Sequence, residues 1–294
     1  MSTKLSIANF KSIRQLDLDC KKINLFIGEP NTGKSNILEA LALLSWCGGS
    51  EHASLSDYIR LESTQNLFYD QLLDEPVEIK MSTTTVSPIG LRVAFENGSY
   101  LIHALDSSLI RGLDKDAHGT WSVASPAPTK DVKFFRFRTL DRYGDNEPGG
   151  LKPPDGPNLF SVVLASKALR GTMAEFFRKY GLMLVLKSQE GVFELQKHAD
   201  GLIISYPYSV TSDTLRRVIF YTVAIVSNKD SVLVKMVRGT HPTGWGPCVL
   251  RRVRTAHRSL RGQANCPVGT PGMNPVAVFR GATCLERSLT GFHG

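Results

Sequence analysis

The chain has 294 residues, 42% of them hydrophobic, enough for a packed core in one large or two ordinary domains, and this excludes disorder throughout. The net charge of +8 sits entirely in the last stretch. Residues 235–294 hold nine basic side chains (Lys235, Arg238, Arg251, Arg252, Arg254, Arg258, Arg261, Arg280 and Arg287) against Glu286 alone, so residues 1–234 are neutral.

The longest nearly unbroken apolar stretch, Val218 to Val226, is about half of what a bilayer span needs. Met1 to Lys11 has no apolar leader core, so the expectation is a soluble, cytoplasmic protein with no membrane partner. The five cysteines form no C-x-x-C pair, which speaks against a disulfide framework. Cys248, Cys266 and Cys284 lie among His241, His257 and His293 at spacings that match no compact zinc pattern, so free thiols are expected.

In chain order, Leu5 and Ile7 alternate with polar residues, Leu16 and Leu18 follow, and the apolar run Ile23 to Ile27 stops at Gly28. These read as strands. Ile37, Leu38, Leu41 and Leu44 then fall on one face of a helix. From Glu51 to about Thr139 short β-like stretches (Val77–Met81, Leu91–Phe95, Phe134–Phe137) alternate with Ser, Thr, Asn, Gly and Pro, which predicts a strand-rich lobe inserted in the fold. The Gly- and Pro-dense Asp145–Pro157 reads as a loop, Leu159–Tyr180 as helix, and Leu182–Leu186, Val192–Gln196 and Leu202–Ser205 as short strands. Ser212 or Thr211 caps a helix running to about Val226, and Ser231–Val234 is a short apolar strand. After Val234 there is no sustained period of 2 or 3.6, and nothing reads as core.

Gly28-Glu29-Pro30-Asn31-Thr32-Gly33-Lys34-Ser35 satisfies G-x-x-x-x-G-K-[ST] in full, between a buried-type strand and a helix. Its glycines let the backbone wrap closely, so that successive N–H groups and a helix start near Gly33 face phosphate oxygens. Lys34 reaches the β and γ phosphates as a point charge, and the Ser35 hydroxyl is the ligand for Mg²⁺. The expected cofactors are ATP and Mg²⁺.

Asn9-Phe10-Lys11-Ser12-Ile13, the run Ile23–Ile27, the loop above and Asn36-Ile37-Leu38-Glu39-Ala40 together resemble the start of the RecF/SMC-like, ABC-type ATPases, including the ATPase part of OLD-family and other AAA-labelled anti-phage proteins. Pro154-Asp155-Gly156-Pro157-Asn158-Leu159 is similar to the loop and helix start before the second half of that fold. Ser209 to Arg217 is similar to its signature segment. The resemblance implies an α/β P-loop NTPase head with an inserted strand-rich lobe and an irregular carboxyl-terminal tail. Residues 1–50 and 151–234 are expected to form the head, with the strand-rich pattern giving 51–150 as the lobe and the change of composition giving 235–294 as the tail. The resemblance also implies a homodimer with ATP sandwiched between heads, Thr211, Ser212, Asp213 and Thr214 touching the partner's nucleotide, and Asn36 beside the loop. DNA repair or anti-phage defence is the implied setting, with DNA and an effector protein, a nuclease or toxin, as further partners.

One part of the pattern fails. In that family the strand after the signature helix ends in carboxylates that hold the metal and orient water; here Ser231-Val232-Leu233-Val234 runs into Lys235-Met236-Val237-Arg238. Composition changes at the same place, which points to a shifted reading frame or a fused segment from about Lys235. Three functional readings follow. They are an ATPase with carboxylates from elsewhere, an ATP-binding switch or inactive truncated head whose Arg-rich tail binds nucleic acid through phosphates, and a small-molecule P-loop kinase, disfavoured by the Asn9–Ile13 opening.

Overall fold

The computed structural model describes residues 3–21, 23–27, 32–49, 53–83, 86–122, 129–229, 231–236 and 248–252. Its elements begin with β1 (Thr3–Phe10), β2 (Ile13–Cys20), β3 (Ile23–Phe26) and α1 (Lys34–Cys47). A run of strands follows: β4 (Val77–Thr83), β5 (Val86–Glu96), β6 (Ser99–Ala104), β7 (Leu109–Leu113), β8 (Gly119–Ser122) and β9 (Val132–Arg136). The second half holds α2 (Leu159–Ala165), α3 (Lys167–Arg178), β10 (Met183–Lys187), β11 (Val192–Ala199), β12 (Leu202–Pro207), α4 (Asp213–Ser227), β13 (Val232–Met236) and β14 (Cys248–Arg252).

Seven strands form an antiparallel sheet in the order β2-β1-β4-β5-β6-β7-β8. Leu5 and Ile7 point to its covered face, as period-2 alternation dictates, and both are fully buried. A second sheet has the order β3-β14-β13-β9. Here β13 runs parallel to β9, while β14 is antiparallel to both β13 and β3. Thus β3, β13 and β9 share one direction, and their carboxyl ends lie at one edge.

Helix α1 packs on β9, β13 and β14 on one side and on β1 and β4 on the other. That placement corrects the expected one-sided helix: every residue from Ile37 to Cys47 is buried. A helix between two sheets has no solvent face to keep polar. Its polar members are satisfied locally, as where Ser45 Oγ accepts from Phe134 N at 2.9 Å.

Strand β9 divides two cores. Phe134 belongs to the core around α1, and its neighbour Phe135 to a second core built by α2, α3, α4 and the sheet β10-β11-β12. The aperiodic stretch after Val234 also departs from expectation. β13 extends to Met236, and Cys248–Arg252 forms a central strand, because β3 and β13 would otherwise each present an unpaired edge within the sheet. The remaining residues of the predicted tail, 237–247 and 253–294, lie outside the described residues.

Candidate nucleotide-binding site

The phosphate-loop motif joins the carboxyl end of β3 to the start of α1, the end of an α/β sheet where ligands collect. Gly28, Glu29, Pro30 and Asn31 lie outside the described residues. The rest of the loop is defined. Gly33 is the residue before the helix, with φ 79, a left-handed conformation that a side chain would strain. Asn36 N and Ile37 N both bond to its carbonyl, closing the first turn.

The first-turn N–H groups ahead of them have no intrahelical acceptor, and α1 carries no acidic residue in that turn. The positive end of the helix therefore remains uncompensated by any carboxylate of its own. Lys34 Nζ donates to Thr32 Oγ1 at 2.9 Å, which holds the ammonium over the loop. Lys34, Ser35 and Asn36 are half-buried and Thr32 is exposed, so the loop end of the helix is reachable from solvent.

A turn two strands away fixes this helix start. β1 and β2 are joined through Lys11 and Ser12, with Phe10 opposite Ile13. Ser12 Oγ accepts from Asn36 Nδ2 at 2.7 Å. Lys11 Nζ reaches Glu39 Oε2 at 2.5 Å, and Arg60 Nε reaches Glu39 Oε1 at 2.6 Å. Glu39 is 1% exposed. A buried carboxylate between two cations is costly to break and directional. Burial lowers the Lys11 pKa, against the pull of Glu39. Asn9 and Lys11 both have positive φ, and the Asn9 amide donates to Pro76 O at 3.2 Å. These contacts give the Asn9–Ile13 segment a physical task, to seat the amino end of α1. Motif spacing does not reveal it; the one hint in the sequence is an acid, Glu39, inside an apolar helix.

The signature-like segment lies at the start of α4, on the second core. Ser212, not Thr211, caps the helix, its Oγ accepting from Leu215 N at 3.3 Å. Thr211 Oγ1 instead donates to Tyr208 O at 2.7 Å. Asp213 pairs with Arg217, and Arg216 Nη1 donates to Thr139 Oγ1 at 2.8 Å. Arg217 stacks over Phe137, 4.8 Å from the ring centroid. Ser212 and Thr214 are exposed. Arg216 and Arg217 are thus tied to the segment that leaves β9, while Ser212, its hydroxyl engaged as the cap, and Thr214 are exposed.

Across the sheet, Phe26 of β3 stands opposite Cys248, Cys248 opposite Met236, and Met236 opposite Arg136. The end of β13 is therefore level with the strand end that enters the phosphate loop. The residues there are Lys235 and Met236. Among the described residues no cluster of three or more His, Cys, Asp or Glu side chains is placed to hold a metal ion.

Residues 1–139 match the family described as an AAA ATPase domain. The match covers 139 of the 294 residues, somewhat less than half of the chain. The chain is similar to the DNA replication and repair protein RecF of Phocaeicola vulgatus, 35% identical over 80 residues, which are 26% of this chain and 22% of the relative. The same protein from Bacteroides fragilis is 34% identical over 80 residues, with the same shares. The chain thus spans about a fifth of the length of these curated relatives, 22%. Among solved structures, a RecF–ATP structure is 13% identical at a TM-score of 0.41, over 80% of this chain and 86% of that one. An SMC head bound to the C-winged helix domain of ScpA is 14% identical at a TM-score of 0.44, over 78% of each chain. Among the described residues no helix is long and apolar enough to cross a membrane.

Proposed function

We propose that this chain binds Mg-ATP at the loop between β3 and α1, and that ATP draws two copies together in DNA repair or anti-phage defence. The observation that carries the reading is the helix start after β3: Gly33 in a left-handed turn, no acid in the first turn, and Lys34 held at the loop. The backbone N–H groups from Gly28 to Gly33, Pro30 excepted, would face the triphosphate, with Lys34 adding its ammonium and Asn36 the bond that anchors the turn.

The donor set suits magnesium in part. Ser35 offers a hydroxyl in the first turn, and Mg²⁺ takes its other oxygens from phosphates and water. When bound, the ion neutralises phosphate charge. The exposed Ser212 and Thr214 are the side chains of the signature-like segment that would meet a partner's nucleotide, with Thr211 and Asp213 shaping the turn. Asp213 in the first turn of α4 opposes anion binding there, so the hydroxyls rather than the helix dipole would carry that contact.

A second reading concerns turnover, and the row Phe26–Cys248–Met236–Arg136 favours it. Phosphoryl transfer to water needs a metal held and a nucleophile oriented. Lys235 and Met236 occupy the strand end where carboxylates would do both, so the chain acts as an ATP-gated switch. Hydrolysis would require carboxylates supplied by a partner or by another part of this chain. The Arg-rich residues beyond β14 supply charge for nucleic-acid phosphates.

The test is steady-state ATP hydrolysis by the full chain beside Lys34→Ala, with nucleotide binding measured on the same samples. Binding lost in the variant, with no turnover in either, supports the switch. Hydrolysis above the variant restores the enzyme reading, and absence of binding by the wild type overturns both.

A further inference from the structure

Strand edges must be paired, shortened or charged to avoid joining other chains. Five of the six outer strands in the three sheets follow this rule. β3 and β8 have four residues each; β2 carries Arg14, Asp17 and Asp19, β9 Lys133 and Arg136, and β10 Lys187. β12 does not. It is Leu202-Ile203-Ile204-Ser205-Tyr206-Pro207, without a charge, and all six residues are exposed. Leu202, Ile203 and Ile204 are 68%, 57% and 41% exposed.

The register tells which face is unfinished. Tyr206 lies opposite Leu195, Ile204 opposite Lys197 and Leu202 opposite Ala199. Leu202, Ile204 and Tyr206 therefore share the sheet face on which Leu195 and Phe193 enter the second core. The apolar face runs past the end of that core. Val210, within the signature-like segment, is also 69% exposed.

We propose that the outer edge of β12 pairs antiparallel with β12 of a second copy, joining two three-stranded sheets into one of six. Antiparallel pairing of a strand with itself is the isologous, two-fold arrangement. With the two-fold axis at Ser205, Ile204 of each copy would face Tyr206 of the other, and β12 is an outer strand with no charge to meet a like charge in that pairing. The rows Leu202, Ile204 and Tyr206 of the two copies would continue one another and extend both second cores. The exposed patch is on the order of 400 Å², about half of what one partner contributes to a stable complex, so the contact is a weak one. This contact needs no nucleotide and stands apart from the ATP-driven association proposed above.

The experiment is sedimentation equilibrium of the full chain without nucleotide up to about 100 µM, the range suited to a small interface. Wild type and Lys34→Ala are both expected to dimerise. Ile204→Lys and Leu202→Glu are expected to raise the dissociation constant at least about tenfold, with unchanged circular dichroism. Ser205→Cys is expected to cross-link to its own copy under mild oxidation in the wild-type background and not beside Ile204→Lys. A wild type that stays monomeric at the top concentration overturns the proposal, as does a dimer that both charged variants leave intact. Association that appears only with ATP and vanishes in Lys34→Ala would also overturn it, while supporting the nucleotide-driven contact.

Discussion

Phe26 and Met236 stand in one row of the central sheet, each opposite Cys248 of the strand between them. Two strand spacings, about 10 Å, separate the entry to the phosphate loop from the end of β13. A carboxylate introduced at that end is expected to come within reach of a metal held by Ser35. Side chains alternate along a strand, so only one of Lys235→Asp and Met236→Asp is expected to respond. That variant should bind Mg-ATP about tenfold more tightly than wild type, through one added charged ligand. Titration calorimetry with and without magnesium measures it; equal affinity in both variants and wild type refutes the placement.

Asn36 and Ser12 hold the amino end of α1 against the β1–β2 turn at 2.7 Å. Asn36→Ala removes one hydrogen bond at a half-buried position and should lower stability by about 1 kcal/mol. Nucleotide affinity should fall several-fold, because the first turn loses its anchor. Denaturant unfolding and nucleotide titration on the same variant read the two effects, and a variant weakened in stability alone would remove Ser12 from the site.

Glu39 is the buried carboxylate of α1, paired with Lys11 and Arg60. Lys11→Ala leaves it with the more exposed of its two partners and should cost about 2–3 kcal/mol, somewhat less than a fully orphaned buried charge. Adding Glu39→Ala should recover part of the loss, the mark of a coupled pair. A double variant whose losses simply add would show that the pair does not interact.

Thr214 is exposed on the first turn of α4, away from the contacts that Arg216 and Arg217 make with Thr139 and Phe137. Thr214→Arg should leave ATP binding by the single chain unchanged and abolish any ATP-dependent increase in mass, seen by light scattering. Ser212→Ala should instead cost about 1 kcal/mol of stability through the lost cap. Retained ATP-driven association in Thr214→Arg would place the partner contact elsewhere.

Asp155 is held above the ordinary carboxylate range, chiefly by burial, against the pull of Arg138 at 4.0 Å. A carboxyl with a raised folded pKa binds its proton more tightly folded than unfolded. Its contribution to stability is therefore greatest at acid pH and is lost as pH rises from the ordinary value through the raised one. Asp155→Asn should raise the melting temperature at pH 7 by about 1–3 °C and shrink toward no difference as both forms protonate. Thermal scans across pH 3 to 7 test this; an equal offset at every pH would assign the gain to something other than ionisation.

The helical and strand segments of residues 155–236 were legible because Val192–Ala199 alternates and Asp213–Ser227 carries its own cap at Ser212. The phosphate loop was legible for a different reason: its eight positions meet the chemical needs of a triphosphate wherever they occur. The contacts that seat the loop's helix were not, since Ser12 lies 24 residues from Asn36 and Lys11 28 from Glu39. Pairings over such distances depend on how sheets stack, which local pattern does not encode.

By itself the sequence determined the nucleotide motif, the strand–loop–helix unit that bears it and the lack of acidic residues from Lys235 to Leu285. Tertiary structure alone decided that α1 is buried all round, since only the sheets on both sides remove its solvent face. It also decided that Cys248–Arg252, a stretch with no period of its own, becomes a central strand. The physical reason is backbone satisfaction: a slot one strand wide between β3 and β13 leaves two rows of N–H and C=O groups to pair, and any chain able to extend there lowers that cost whatever its side chains.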